Sequence, residues 1–159
     1  MTIKFQLDSS YKQKILINRK DASEDIRSEE CGTNASIIAK YERIRNDMIS
    51  FQRNFLKKPG LIADGRDMGT VVFSDSKIKI FLTADVDVRA KRRYKELKDK
   101  GIDVSLAAVL SDMKIRDKQD KERKHGPLTM AHDSILVDST NKSIDIVVSE
   151  ILKYYENMY

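Results

Sequence analysis

The chain has 159 residues, with 30 Lys and Arg against 25 Asp and Glu, and therefore a net charge of +5. This is the length of one ordinary domain, and 40% apolar residues with two prolines argue against disorder, although 35% of the residues are charged. No apolar stretch approaches the ~20 residues that cross a bilayer, and the first residues lack the apolar region of a secretory signal. We expect a cytoplasmic protein with no membrane contact. One cysteine and two histidines exclude an intrachain disulfide and argue against a structural zinc site.

The first residues have the pattern of a β-hairpin. Apolar and polar residues alternate over 3–7, a polar turn follows at 8–10, and 14–17 is again largely apolar. This pattern predicts a small antiparallel element.

A helical pattern comes next. From Thr33 or Asn34, both good N-cap residues, apolar residues recur every three or four positions until Pro59 stops them. We predict one long helix over 34–57.

The rest of the chain alternates short apolar runs with helical patterns. The predicted strands lie near 61–64, 78–82 and 134–138, and the predicted helices near 85–100, 103–123 and 142–157. Alternation of this kind is typical of a parallel sheet covered by helices, that is, a layered α/β domain. Binding sites in such folds lie beyond the carboxyl ends of the strands, which directs attention to 64–67, 83–85 and 138–140.

The spacing of Gly60 and Gly65 matches a phosphate-binding P-loop, G-x-x-x-x-G-K-[ST], but the match fails. The chain continues with Arg66 and Asp67 instead of Lys and Ser or Thr, and the residues between the glycines are apolar like a buried strand. No other segment of the sequence has the P-loop motif.

Three groups of charged residues have both a functional and a structural interpretation. Arg66 and Asp67 suit a ligand with anionic and hydrogen-donating parts, or form a solvated turn. Arg116, Asp120 and Arg123 share one helix face and form either a binding stripe or a surface salt-bridge ladder. The basic residues of 85–100 suit a lid over polyphosphate, a nucleic-acid face, or a solvated surface.

Two residues of the predicted long helix, Ser36 and Arg45, are also open to both interpretations. They are nine positions apart, so joint action would require the start and the middle of the helix to border one pocket. Otherwise Ser36 belongs to the cap region and Arg45 faces solvent.

Several segments, taken in their order, resemble bacterial cytidylate kinases. They are LIADGRDMGTVVF, IKIFLTAD, IRDKQDKERKHGPL and ILVDST, preceded by DASEDIRSEECGTNAS, which resembles the nucleoside-monophosphate-binding insert of that family. The resemblance implies a P-loop nucleoside monophosphate kinase-like layered α/β fold. Residues 1–33 would be the antiparallel β part of the insert, and 34–159 a kinase core portion with its lid near 85–105. The family's opening strand, P-loop and following helix have no counterpart, so we expect a fold that is incomplete at its N-terminus.

The resemblance also implies an activity, the transfer of the γ-phosphoryl group of ATP to CMP or dCMP with Mg²⁺. The matching positions are Ser36, Arg45 and Asp67 for the cytosine, Arg66 and Arg123 for the acceptor phosphate, and Arg116 and Asp120 for the sugar. Among these, Arg66 and Arg123, together with the lid residues Arg92 and Arg93, would be the catalytic residues that neutralise charge on the transferred group. Mg²⁺ would arrive with ATP, and Asp64 is the candidate protein contact.

Two expectations follow from the missing P-loop and strand. Phosphoryl transfer depends on positioning and charge stabilisation, so the 159-residue chain should bind CMP without producing CDP from ATP. Unpaired strand edges should make it self-associate or swap strands. The alternative is a non-enzymatic basic module that binds nucleotides or RNA, but 7% aromatic residues, no Trp and no stacking motif argue against nucleic acid.

Overall fold

A computed structural model describes residues 2–10 and 13–158. The chain divides into two compact units, Met1–Asp47 and Met48–Tyr159. The N-terminal unit extends beyond residue 33, where the predicted insert ends, and its boundary lies within a helix. Each unit is described by itself below.

The N-terminal unit contains the predicted antiparallel element, which is confirmed. Strand β1 (Ile3–Leu7) pairs with β2 (Gln13–Ile17), and β3 (Lys20–Asp21) extends the sheet. Asn18 and Arg19 connect β2 to β3 with φ of 49° and 69°. Positive φ at both central residues matches the right-handed twist of a tight hairpin, and Asn tolerates it well.

Two helices follow, α1 (Glu29–Ile38) and α2 (Glu42–Arg53). The Ser28 hydroxyl oxygen caps α1 by accepting a hydrogen bond from the Cys31 amide at 3.1 Å. The predicted single helix over 34–57, starting at Thr33 or Asn34, is therefore replaced by an earlier start and a break.

The break has a local cause. At the end of α1 the backbone tightens, with the Tyr41 amide bonded to the Ile38 carbonyl at 3.1 Å, and the Arg45 guanidinium donates to the Ala39 carbonyl at 3.4 Å. Ile37 and Ile38 are about half exposed, at 49% and 50%, so no buried apolar stripe holds the two halves in one line.

The C-terminal unit contains the predicted parallel strands and helices. Strand β4 (Ile80–Thr83) lies parallel to β5 (Ile135–Asp138), with Ile80 beside Ile135 and Thr83 beside Asp138. The helices are α3 (Val86–Asp99), α4 (Leu106–Glu122) and α5 (Ile144–Glu156). These two strands and three helices lie within a few residues of their predicted bounds.

Side-chain caps and a small core hold these helices. Asp85, Ser105 and Ser143 accept backbone hydrogen bonds at the starts of α3, α4 and α5. Ala90 and Leu97 of α3 pack against Val109 of α4, and all three are buried. These contacts hold α3 against α4.

The predicted strand at 61–64 is not formed. These residues have no assigned secondary structure, and the side chain of Ile62 is 100% exposed. An extended segment becomes a strand only when a neighbour pairs with its backbone, and in the part of the chain that the structure describes, β4 and β5 pair only with each other. Over residues 2–10 and 13–158, no helix is both long and apolar enough to span a bilayer.

Candidate functional site

The segment around Asp67 ends in an unusual turn. Residues Met68–Val72 form a π-helical turn in which the Asp67 carbonyl accepts from the Val71 and Val72 amides at 2.9 and 3.2 Å. Asp67 itself is 8% exposed. Single π turns are frequent at functional sites, so this turn agrees with the expectation that 64–67 belongs to a binding site.

Arg66 meets two predicted site residues of α4. Its Nε donates to Asp120 Oδ2 at 2.7 Å, and Arg123 Nη1 lies 3.5 Å from Asp120 Oδ1. The side chains of Asp120 and Arg123 are 15% and 12% exposed, whereas that of Arg66 is 54% exposed. We call these three residues the Arg66–Asp120–Arg123 cluster. It joins positions 54 residues apart in the sequence.

The chain that leaves α4 holds this cluster in place. Arg123 is the C-cap of α4, and its Nε donates to the carbonyl of Gly126, whose φ is 57°. This left-handed conformation suits glycine and turns the chain back, so that the Leu128 amide reaches the Asp120 carbonyl at 2.7 Å. The arginine and the carboxylate are thus fixed through side chain and backbone alike.

The cluster has the chemistry of an anion site. One carboxylate lies between two guanidinium groups, which leaves a net charge of +1. The bond from Nε to Asp120 orients the guanidinium of Arg66, while its terminal nitrogens have no partner among the described residues. Guanidinium forks match phosphate and carboxylate oxygens well, so the exposed side of Arg66 can take an anion.

The remaining predicted residues lie elsewhere. Arg116 is one turn before Asp120 on α4 and is partly buried. Ser36 and Arg45 belong to the N-terminal unit, where the break places them on two different helices instead of one.

The two lid arginines are engaged within the chain. Arg92 donates to the carbonyl oxygen of Ser139 at 2.6 Å and to its hydroxyl at 3.2 Å, which fastens α3 to the loop after β5. Arg93 donates to Glu96 at 2.7 Å. Hydrogen bonds from Arg93 and Lys100 lower the pKa of Glu96. Their predicted catalytic roles stay predictions.

The loop after β5 is itself ordered by hydrogen bonds. The Thr140 hydroxyl donates to Asp138 at 2.6 Å and accepts from the Asp85 amide at 2.9 Å. Hydrogen bonds from the Thr140 hydroxyl and amide lower the pKa of Asp138. The carboxyl ends of β4 and β5 are therefore joined into one edge, as the parallel arrangement predicts.

Among the ion pairs that sequence reasoning missed is Arg89 with Asp117. The Arg89 guanidinium donates to both Asp117 oxygens, at 3.2 and 2.6 Å, and its Nε donates to the Ala84 carbonyl at 3.0 Å. The partners are 28 positions apart, and no local pattern could have paired them. This bidentate pair fixes α4 against the start of α3.

The described residues offer no preformed metal centre. Over 2–10 and 13–158, no three His, Cys, Asp or Glu side chains converge. Asp64, the candidate contact for Mg²⁺, is exposed. A single carboxylate fits Mg²⁺ only when substrate phosphates complete the coordination.

Comparison with known proteins identifies the family. The sequence model of the family described as "Cytidylate kinase" matches residues 1–157. The chain belongs to the cytidylate kinase family. Cytidylate kinases are phosphotransferases with a P-loop nucleoside monophosphate kinase fold, and the predicted fold class is confirmed by this membership.

Individual relatives agree with the family match. The cytidylate kinase of Aeromonas salmonicida (strain A449) is 47% identical over 156 residues, which are 98% of this chain and 67% of the relative. Those of Pseudomonas aeruginosa (strain LESB58) and Nitrosomonas europaea (strain ATCC 19718) are 46% and 45% identical, over 94% and 89% of this chain and 65% and 63% of their own lengths. The chain therefore spans about two thirds of the length of these cytidylate kinases.

Proposed function

We propose that this chain binds CMP or dCMP as the acceptor in the ATP-dependent phosphoryl transfer that yields CDP or dCDP. The observation that carries the proposal is the Arg66–Asp120–Arg123 cluster, formed by residues that match acceptor-binding positions of the cytidylate kinase family. Each part of a cytidine monophosphate finds a chemically suitable partner among the remaining matched residues.

The phosphate of the acceptor would bind to Arg66 and Arg123. Asp120 holds Arg66 in position before the ligand arrives, so little side-chain freedom is lost on binding. The net positive charge of the cluster attracts a phosphate dianion, and the terminal nitrogens of Arg66 can donate to two of its oxygens. The sugar hydroxyls would then bind to Arg116 and the remaining acceptor capacity of Asp120.

The cytosine would be recognised by Asp67, with Ser36 and Arg45 in supporting roles. A carboxylate accepts a hydrogen bond from the exocyclic amine of cytosine. Uracil presents an oxygen at that position, and the buried Asp67 would then face an acceptor instead of a donor. Sites that depend on such a bond discriminate strongly against the analogue that lacks it.

The phosphates of the donor, ATP, would be bound by arginine side chains and Mg²⁺. Arg92 and Arg93 would stabilise charge on the transferred group after exchanging their present partners, Ser139 and Glu96, for phosphate oxygens. Mg²⁺ would be carried mainly by the phosphates of ATP, with Asp64 as its contact on this chain.

Self-association is a further part of the proposal. In the part of the chain that the structure describes, β4 and β5 form a two-stranded sheet with an open edge on each side. Leu82 of β4 and Leu136 of β5 are 57% and 55% exposed. Open edges with exposed apolar side chains favour pairing with a second copy. Sedimentation velocity should show a species that grows with concentration, and a monomer throughout would contradict this part.

Thermal melting with ligands tests the acceptor site. CMP should raise the melting temperature, since a ligand present at about 100 times its dissociation constant stabilises the folded state by about 2.7 kcal/mol. UMP should raise it much less. The variant Arg66→Met, which keeps the apolar stem, should lose most of the CMP effect.

The control is Arg43→Met. Arg43 is an exposed arginine of α2 that has no partner among the described residues. This variant should respond to CMP like the unmodified chain. Equal stabilisation by CMP and UMP would contradict the proposed base recognition. Salt-sensitive binding of an RNA oligonucleotide without a CMP effect would favour the basic binding module instead.

A further inference from the structure

The π-helical turn Met68–Val72 follows directly after Asp67, the residue proposed to recognise cytosine. The Asp67 carbonyl accepts from two amides, that of Val71 at 2.9 Å as in an α-helix and that of Val72 at 3.2 Å as in a π-helix. The α-helical bond is by far the commoner of the two in proteins. Contacts outside the turn are therefore needed to hold the Val72 amide at the Asp67 carbonyl.

Arg53, the last residue of α2, holds the end of this turn. Its Nη1 donates to the Val72 carbonyl at 2.6 Å and its Nη2 donates to Asp75 Oδ2 at 2.8 Å. Its guanidinium carbon also lies 5.9 Å from the centre of the Phe73 ring. Val72 is 1% exposed, and it donates its own amide to the Asp67 carbonyl. Arg53 is therefore linked to Asp67 through a single buried residue.

Lys79 holds the same turn from the start of β4. Its Nζ donates to the Ser74 carbonyl at 2.6 Å and to the two Asp133 carboxylate oxygens at 2.9 and 2.6 Å. Its stem passes beside the turn, because a Cβ on Gly69 would lie 3.5 Å from Lys79 Cδ. The Lys79 carbonyl accepts from the Ile135 amide at 2.8 Å. Lys79 thus ties the turn, and the loop that leaves it, to the sheet of β4 and β5.

The burial of Lys79 indicates a role beyond stability. Its side chain is 7% exposed, and an ammonium group that leaves water loses so much hydration that an apolar residue of similar size often stabilises a fold equally well. In some proteins a buried charge instead selects one conformation among several. The turn offers such a choice, between an α-helical and a π-helical bond at the Asp67 carbonyl. An apolar side chain could not hold the Ser74 carbonyl as Lys79 does.

We infer that Arg53 and Lys79 are positioning residues for base recognition, which act on Asp67 through the π-helical turn. The inference rests on the proposed function, in which the Asp67 carboxylate accepts from the exocyclic amine of cytosine. Hydrogen bonds weaken steeply when their geometry is displaced, so the conformation of the turn decides whether the carboxylate meets the amine. The phosphate would bind to Arg66 and Arg123, which are oriented from α4, and its binding should depend much less on the turn.

The test is the selectivity of the 159-residue chain between CMP and UMP, measured by isothermal titration calorimetry. Arg53→Met and Lys79→Met keep the apolar stems and remove the donors. Each should lower the ratio of the UMP to the CMP dissociation constant roughly tenfold, the equivalent of one hydrogen bond to a charged group. Ribose 5-phosphate carries the sugar and phosphate without a base, and its affinity should change by less than about twofold because neither residue belongs to the proposed phosphate site.

Two control variants separate positioning from general destabilisation. Asp75→Asn removes the exposed partner of Arg53 but leaves the bond to the Val72 carbonyl, and it should keep the UMP-to-CMP ratio within about twofold. Val109→Ala opens a cavity in the core between α3 and α4, so it should lower the melting temperature and leave the ratio unchanged. A loss of selectivity in Val109→Ala as large as that in Arg53→Met would overturn the inference, because stability alone would then explain the effect.

Hydrogen exchange without any ligand gives an independent readout of the turn. The Val72 amide is bonded to the Asp67 carbonyl, and it should exchange faster in both Arg53→Met and Lys79→Met than in the unmodified chain. The amides of α4 should keep their exchange rates. Unchanged exchange at Val72 in both variants would overturn the inference, because the turn would then not depend on either side chain.

The failure of this inference is distinguishable from the failure of the proposed function. If the unmodified chain prefers CMP and both methionine variants keep that preference, the inference is wrong and the proposed function stands. If the unmodified chain binds CMP and UMP equally, the proposed base recognition is wrong, and the inference falls with it.

Discussion

Replacing Asp120 by Asn should weaken both the fold and the acceptor site. The substitution preserves shape but removes the charge that lies between Arg66 and Arg123. The pair with Arg66 is half exposed, so its loss costs about 0.2–1 kcal/mol. The pair with Arg123 is mostly buried, and leaving a buried charge uncompensated costs up to ~3–5 kcal/mol.

The loss of the contact between Arg123 and Asp120 should lower the free energy of unfolding by much less than this upper limit. The distance from Arg123 to Asp120 is long, at 3.5 Å, and Arg123 retains its bond to the Gly126 carbonyl. We therefore expect a total loss of about 1–2 kcal/mol. For a protein of this size, each kcal/mol corresponds to roughly 2–4 °C in melting temperature.

Urea unfolding and thermal melting, each with and without CMP, measure this prediction. The matched control is Asp112→Asn, which neutralises an exposed aspartate of the same helix that has no partner among the described residues. The control should lie within about 0.5 kcal/mol of the unmodified chain. If Asp120→Asn were as stable as the control and bound CMP equally well, the cluster would be an incidental surface contact.

Three further predictions address selectivity, pH dependence and turnover. Asp67→Asn should reduce the preference for CMP over UMP in binding assays, because an amide can turn to meet either base; unchanged selectivity would remove Asp67 from base recognition. The hydrogen bond from Lys79 lowers the pKa of Asp133 below 3.8, so its stabilisation is present above that pH and lost as the pH falls through the lowered value. Asp133→Asn should therefore show a smaller loss of stability in acid than the unmodified chain, measured by urea unfolding at a series of pH values. The 159 residues contain no P-loop motif, and we expect no ATP-dependent CDP formation in a coupled assay, so that turnover by the purified chain would refute this expectation.

The sequence predicted those elements whose stability is local or whose partner also has a clear pattern. Helices α3, α4 and α5 start at capping residues visible in the sequence, Asp85, Ser105 and Ser143. Strands β4 and β5 pair with each other, and the sequence predicted both of them. The segment 61–64 has an equally apolar pattern but no pairing strand among the described residues, and a pattern cannot supply a partner.

The candidate site was predictable only in part, for a similar reason. Helical spacing placed Arg116, Asp120 and Arg123 on one face, but it could not distinguish a binding stripe from a salt-bridge ladder. The contact from Arg66 to Asp120 links segments 54 positions apart, which only the tertiary fold brings together. The resemblance to cytidylate kinases named these residues without giving their geometry.

That geometry also suggests why a carboxylate belongs in a site for an anion. Asp120 reduces the positive charge of the cluster, which by itself would weaken phosphate binding. In return it fixes the Arg66 fork, whose side chain is otherwise half exposed and would lose considerable rotamer freedom on binding. An arginine already held through Nε loses less of that freedom and presents its terminal nitrogens in a defined plane, so orientation compensates for the lost charge. A change of net charge alone predicts that Asp120→Asn strengthens CMP binding, because the cluster becomes more positive. We expect weaker CMP binding instead, because the substitution also removes the charge that orients Arg66.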